Sequence, residues 1–333
     1  MSAGDSPVDR NAVTGLRAGR RKGEQPVVPD AEFTSYYGQP VLNRPVWKVP
    51  DVPGYLFLGG LAGGASLLAV GAQGSGRAHL ARVMKTAAAG SAGLSTVALV
   101  HDLGRPERFL NMLRVFKVTS PMSVGSWLLS AFGGLSSLSA GCEWTGWTPR
   151  IGAAATAGSA LVGPGLASYT AALLTDTAVP GWHEGHREMP FVFTGSGAAA
   201  AGGLGMLACP VAESAPARTF AVLGAATELA ATGVMEKRMG MVAEVYSTGR
   251  AGKYVRAAKA LSAVGAVGAL LAGRRRVPRA AAGAALLAAS VATRWGVFNA
   301  GLASVDDPKY TIVPQRERLR RGEAARTDGK SSS

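Results

Sequence analysis

Residues 100–123, VHDLGRPERFLNMLRVFKVTSPMS, set His101, Asp102, Arg105, Glu107 and Arg108 directly behind AAAGSAGLSTVALV, a run without a charge. An imidazole titrates near neutral pH, a nearby carboxylate can orient it or take its proton onward, and a guanidinium donates from a rigid fork. At the end of an apolar element these groups suit proton exchange at the edge of a water-poor site. Neighbours on an ideal helix point about 100° apart, so His101 and Asp102 need not touch. Gly104 and Pro106 force a turn, and Arg105 can either brace it through backbone carbonyls or reach a ligand. Phe109, Leu110, Leu113 and Phe116, interleaved with Arg108, Arg114 and Lys117, predict a short helix lying in a membrane interface.

Other ionisable groups are scattered. Glu228, in VLGAATELAATGVMEKRM, falls near the middle of an apolar run, where a carboxyl is costly and function is the default suspicion. It is a candidate for a proton path, with Glu236 as a second member, although Lys237 and Arg238 give Glu236 an interfacial ion pair as an alternative. Arg294 reads as a snorkelling side chain or one that holds the final loop. His183 and His186 share a loop with Asp176, Glu184, Arg187 and Glu188, but Pro180, Gly181 and Gly185 break any helix there, and docking or solvation is favoured over metal binding. Cys142 and Cys209 are isolated, too few for an iron–sulfur cluster or a structural zinc site, and read as packing residues. No metal is expected in this chain.

The elements that must carry these groups are apolar. Charged residues make up only 17% of the chain, against roughly 25% in an average soluble domain. The mean hydropathy of +0.17 hides this, because it averages long runs of Ala, Gly, Leu and Val with two polar tails. Eight charge-poor windows approach the roughly 20 residues that a membrane-crossing helix needs: 54–73, 83–101, 121–142, 151–175, 189–209, 218–236, 255–273 and 279–298. Lys85 weakens the second and Glu228 the sixth. GGLAGGAS at 59–66 and GSGAAAAGGLG at 195–205 suit close helix packing, and lack the strand that a dinucleotide-binding loop would follow.

The predicted fold is an all-α integral membrane protein of eight transmembrane helices in two four-helix bundles. Residues 1–53 form a polar tail and a surface strap, 54–175 the first bundle, 176–188 an interfacial loop, 189–298 the second bundle and 299–333 a C-terminal tail. Arg20, Arg21 and Lys22 lead into no apolar stretch, so no signal peptide is expected. Basic residues concentrate in the tails and in the loops at 102–120, 176–188 and 237–254, which places both termini in the cytoplasm, although GRRRVPR at 273–279 argues the other way. The net charge of +14 then reflects topology and attraction to anionic membrane lipids, and gives no reason to expect nucleic acid.

Four segments carry a resemblance to a known family: SYYGQPVLNRPVW (35–47), YLFLGGLAGGAS (55–66), HDLGRPERFLNMLRVFKVTSPMSVGSW (101–127) and RWGVFNAGLASVDDPKYTIVPQR (294–316). With these the chain resembles the NrfD, or polysulfide reductase membrane subunit, family. The resemblance implies a quinone-reactive, multi-pass subunit of a respiratory electron-transport complex in the inner or plasma membrane. A four-cluster-type iron–sulfur protein would dock on it, and a molybdopterin-containing catalytic subunit would complete the oxidoreductase, with formate dehydrogenase favoured. Menaquinone or ubiquinone would be the exchangeable substrate, and the iron–sulfur clusters and molybdopterin would belong to the partners. The implied pocket lies among the first four helices near the docking face. His101 and Asp102 are its candidate catalytic groups, and Tyr55, Phe57, Ser66, Arg105, Met122, Ser126 and Trp127 its candidate quinone-binding residues. The competing classes are a proton-coupled transporter and a structural anchor without quinone chemistry.

Overall fold

The computed structural model describes residues 41–103, 107–273 and 275–317, and Arg105 lies outside them. Every regular element among the described residues is helical. Eight long helices, α1 (Asp51–Gly74), α2 (Ala78–Leu103), α4 (Pro121–Thr145), α5 (Pro149–Thr175), α7 (Met189–Ala208), α8 (Ala215–Arg238), α9 (Gly249–Leu271) and α10 (Arg276–Asp306), are joined by short connections. Two of those connections contain the small helices α3 (Glu107–Met112) and α6 (Pro180–His183), and a 3₁₀ segment, Gly240–Tyr246, links α8 to α9.

Among the described residues six helices, α1, α2, α5, α7, α9 and α10, are long and apolar enough to cross a membrane, and the chain is a multi-pass membrane protein. This corrects the expectation of eight spans. The windows were chosen for lack of charge, and lack of charge is not hydrophobicity. Helix α4 carries Ser123, Ser126, Ser130, Ser136, Ser137 and Ser139 as well as Glu143. Helix α8 carries Arg218, Glu228, Glu236, Lys237 and Arg238. The grouping into two four-helix bundles is corrected too, because α1 packs on α5 and on α7 and so belongs to both halves.

That central position depends on small residues. A Cβ at Gly63 would stand 2.4 Å from the Gly163 carbonyl of α5, and one at Gly64 would stand 2.6 Å from the Gly197 carbonyl of α7. Neighbouring positions on α1 thus present two bare backbone faces. Apolar transfer contributes little between helices in lipid, so close van der Waals contact of this kind sets their association.

At one end of the bundle the chain folds over itself. Trp47 of the strap stacks on Trp182 of α6, with ring centroids 5.3 Å apart. Trp182 is wholly buried, donates its indole N–H to the Val297 carbonyl at 2.8 Å, and rests against Gly301 of α10, where a Cβ would stand 1.9 Å from the ring. Tyr246 donates to the Gly181 carbonyl at 2.6 Å, and the Gly181 N–H donates to Ser304 Oγ at 2.9 Å. Within the loop at 176–188, Val179–Trp182 is therefore plugged into a socket, while Asp176, His183, His186 and Arg187 are exposed. His183 Nδ1 lies 3.1 Å from the Thr175 carbonyl and His186 Nδ1 lies 2.9 Å from that of His183. Among the described residues no group of His, Cys, Asp and Glu is placed to hold a metal ion. The interfacial helix expected over residues 107–117 stops at Met112, leaving Leu110, Val115 and Phe116 exposed.

At the other end Lys85, a blemish in the second window, is paired with Glu143 at 2.9 Å, and Arg82 adds a second contact at 3.4 Å. Arg279, counted in the sequence with the basic cluster at 273–279, is buried, and its guanidinium donates to Ser214 Oγ and to the Cys209 carbonyl.

Glu188, just before α7, accepts from Arg238 at the end of α8 through both oxygens at 2.7 Å. Arg238 holds the Glu188 carboxyl below its usual titration range. A depressed pKa stabilises the fold above the ordinary carboxylate value, near 4.3, and that contribution is lost as pH falls through the lower folded value. Arg238→Met is expected to cost roughly 1 kcal/mol at neutral pH. The thermal midpoint of the purified chain should fall, and its difference from wild type should shrink as the buffer is taken into the acid range.

Candidate functional site

His101 closes the last turn of α2, where the helix dipole favours a cation, and Asp51 opens α1, where the dipole favours an anion. The fold brings these ends together. His101 Nδ1 and Asp51 Oδ2 are 2.7 Å apart, and the imidazole is 71% exposed while the carboxylate is only 15% exposed. The His101 partner is therefore Asp51, which sequence reading missed. The available signal was an acidic residue between Pro50 and Pro53 at the mouth of the first apolar run. Asp102 has a different partner: its Oδ1 accepts the Lys48 N–H at 3.0 Å, which fixes the strap to the end of α2.

One turn into α1, roughly 6 Å along the axis, Tyr55 is buried and hydrogen-bonded to Tyr169 of α5. Tyr169 is the second residue that sequence reading missed. A phenol in an otherwise Ala- and Gly-rich span was the clue. It occupies space vacated by Gly125 of α4, where a Cβ would stand 1.8 Å from its Cζ. Ser95 of α2 reaches the Tyr55 carbonyl at 3.4 Å. An exposed imidazole, its carboxylate, and two phenols below them line the seam of α1, α2 and α5.

The other candidates divide. Ser126, beside Gly125, is buried and donates to the Ser123 carbonyl at 2.9 Å. Met122 and Trp127 are both exposed at the start of α4, and Trp127 meets Phe116 edge-to-face with centroids 6.2 Å apart. Phe57 packs with a different apolar cluster from Tyr55. Ser66 lies fifteen residues beyond Asp51 on the same helix, roughly 22 Å away. It donates to the Gly63 carbonyl at 2.8 Å and lies against Gly163 of α5.

A family profile described as Polysulphide reductase, NrfD matches residues 39–219, more than half of the 333-residue chain. The chain belongs to this family. No curated protein matches it. The general role of NrfD proteins is that of a membrane-embedded, quinone-interacting subunit of a molybdopterin oxidoreductase complex. The matched stretch of this NrfD chain takes in the end of the strap, α1 to α7 and the first residues of α8, and so contains Asp51, His101, Tyr55 and Tyr169. The resembling segment at 294–316 falls outside it.

Beyond the matched stretch lies a second polar cluster. Glu228 of α8 is buried and accepts from Ser262 of α9 at 3.0 Å and from Thr293 of α10. Arg294, next along α10, is wholly buried and holds the helices rather than the final loop. It donates to the Phe193 carbonyl at 2.8 Å and the Leu56 carbonyl at 3.3 Å, and its guanidinium lies 3.9 Å from the centroid of the Phe193 ring. Glu236 pairs with Lys259 of α9 at 2.6 Å, and not with the adjacent Lys237 or Arg238.

Two cavities are prominent. One, of ≈ 450 Å³, opens beside Gln73, Arg77, Lys85 and Glu143 at the far end of the bundle; the other adjoins Glu228. Neither touches His101.

Gly125→Ala should force Tyr169 out of its slot at a cost of about 1–3 kcal/mol, the range for an overpacked core. A double-mutant cycle with Tyr169→Ala, read from thermal midpoints, is expected to recover most of that loss. Simple addition of the two effects would show that Tyr169 does not fill the space at Gly125.

Proposed function

We propose that this NrfD chain exchanges electrons between an iron–sulfur partner and the membrane quinone pool, and that the quinone ring is received at the seam of α1, α2 and α5. The observation that carries this reading is the His101–Asp51 pair at 2.7 Å, exposed at its imidazole and set one turn above the Tyr55–Tyr169 phenols. Reduction of a quinone to its quinol consumes two electrons and two protons. The electrons come from the partner's clusters. His101, held by Asp51, donates a proton to one carbonyl oxygen and recovers it from water, to which most of its ring is open. Tyr55, with a phenolic O–H beside the same seam, suits a hydrogen bond to the ring. Asp102 serves the site indirectly by holding the strap. Met122, Ser126 and Trp127 form the α4 wall on the docking side, with Phe57 nearer the tail.

The same end of the bundle carries the strap, α3, α6, the 3₁₀ segment and the helical residues 309–317. Its ion pairs, Arg44–Asp306 at 3.9 Å and Lys309–Glu244 at 3.0 Å among them, give a partner a charged and structured surface. Glu244, hydrogen-bonded to Lys309, raises the pKa of that ammonium. We place this face in the cytoplasm on the distribution of Lys and Arg. For the soluble partner we propose a formate dehydrogenase-type molybdopterin enzyme with a four-cluster iron–sulfur subunit. The family resemblance alone supports that choice of substrate.

The test is isolation of the intact membrane complex and measurement of quinone reduction with formate as donor. His101→Gln should leave the complex assembled and lower kcat by roughly 10²-fold, the scale of a lost general acid. Asp51→Asn should lower kcat less, with KM for quinone little changed. An unaltered rate in His101→Gln would remove the imidazole from the mechanism, and a chain that purifies without an iron–sulfur protein would overturn the electron-transfer role.

A further inference from the structure

The second polar cluster is not needed for quinone chemistry, and its arrangement has a logic of its own. Glu228 is an acid sealed among α7, α8, α9 and α10, ten residues from the end of α8 at Arg238, or roughly 15 Å inward. A cavity begins at its carboxyl. Its wall is mostly apolar, built from Val192, Leu229, Met235, Val255, Ala258 and Val297, and Glu228, Thr232, Thr293 and Lys259 are the polar residues along it. The space open to water centres is ≈ 20 Å³, enough for about one or two waters and far below the several hundred Å³ that a ring ligand requires. Its polar groups lie on two levels. Lys259, 39% exposed at its side chain and paired with Glu236, marks the mouth, and Glu228 marks the floor.

We infer that Glu228 is a proton-loading carboxyl, fed by water through this cavity from the Lys259–Glu236 mouth. The step is a simple transfer: the carboxylate takes one proton from a cavity water, and that water recovers it from bulk solvent past Glu236. Ser262 and Thr293 can serve either charge state, since a hydroxyl both donates and accepts. Every charged or titratable group facing Glu228 fits the assignment. Arg294, on α10, is a fixed cation whose Nη1 has no protein partner among the described residues. Lys259, on α9, is neutralised by Glu236, and Tyr246, on the 3₁₀ segment, lines the wall while its hydroxyl is committed to the Gly181 carbonyl. The cavity therefore offers a proton one titrating destination.

The inference goes beyond the quinone reading and its test does not depend on quinone turnover. Infrared difference spectra of the full chain in phospholipid vesicles would follow the C=O stretch of protonated carboxyls during exchange from H₂O to D₂O. Wild type is expected to show a band that is absent in Glu228→Gln and shifts promptly in D₂O. Lys259→Met, which removes the mouth, and Ala258→Leu, which narrows the passage, should each slow that shift several-fold while leaving the band in place. The two variants stress the fold differently, so either one that folds decides the route. Absence of a Glu228-dependent band at every pH tested, a band that fails to shift over hours, or an exchange rate untouched in the folded variants would each overturn the inference. Loss of quinone reduction in His101→Gln is read separately, so failure of one assignment leaves the other standing.

Discussion

The contact on which most of the structure depends is the meeting of bare backbone along α1. Gly63 against Gly163 and Gly64 against Gly197 let three helices approach more closely than any side chain would permit. Gly60, one turn earlier, completes the pattern, because a Cβ there would stand 2.8 Å from Arg294 Nη2. Only with that space open can one guanidinium reach the Leu56 carbonyl of α1 and the Phe193 carbonyl of α7 together. A buried charge contributes to a fold when its donors are met, and removing one side of such an arrangement is far costlier than never having built it. The glycines and Arg294 are thus one device for tying the two halves of the chain.

Once α1 is held in the middle, the ends of its neighbours are no longer free to wander. The first turn of α1 falls beside the last turn of α2, so a positive and a negative helix end meet, and His101 and Asp51 are the charges each end favours. The strap is drawn in by Asp102, which accepts the Lys48 N–H, and by the stacking of Trp47 on Trp182. The two neighbours that the sequence offered as candidates have separate partners in the structure. His101 turns to α1 and the solvent, and Asp102 turns to the strap, as the 100° step of a helix allows.

Much of this was legible in the residues. The long apolar runs marked all eight long helices, although α9 begins six residues before its window and α10 ends eight residues after its own. Two kinds of information were not. The number of helices apolar enough to cross a membrane depends on the sum of weak transfer terms for Ser, Gly and Ala, and a scan for missing charges does not weigh those terms, which is why α4 and α8 were counted. Partners distant in sequence are set by packing, so Asp51 for His101, Tyr169 for Tyr55, Glu143 for Lys85 and Lys259 for Glu236 had no local signature. Ser66 shows what a shared helix hides, since a rise of 1.5 Å per residue places it about four turns from Asp51.

The relation between the two polar centres follows from the same geometry. Arg294 is bonded to the carbonyl of Leu56, the residue after Tyr55, and its charge acts on Glu228 from the other side. A guanidinium gives up no proton in a protein, so it can carry none between the two places. What it can transmit is position and charge. In the proposed loading of Glu228 the guanidinium would lose the nearest negative charge, and its bond to the Leu56 carbonyl is the contact with α1 through which that loss would act. Coupling in this chain, where it occurs, is electrostatic and mechanical, through one arginine between two carbonyls, and needs no continuous file of proton carriers from α8 to α1.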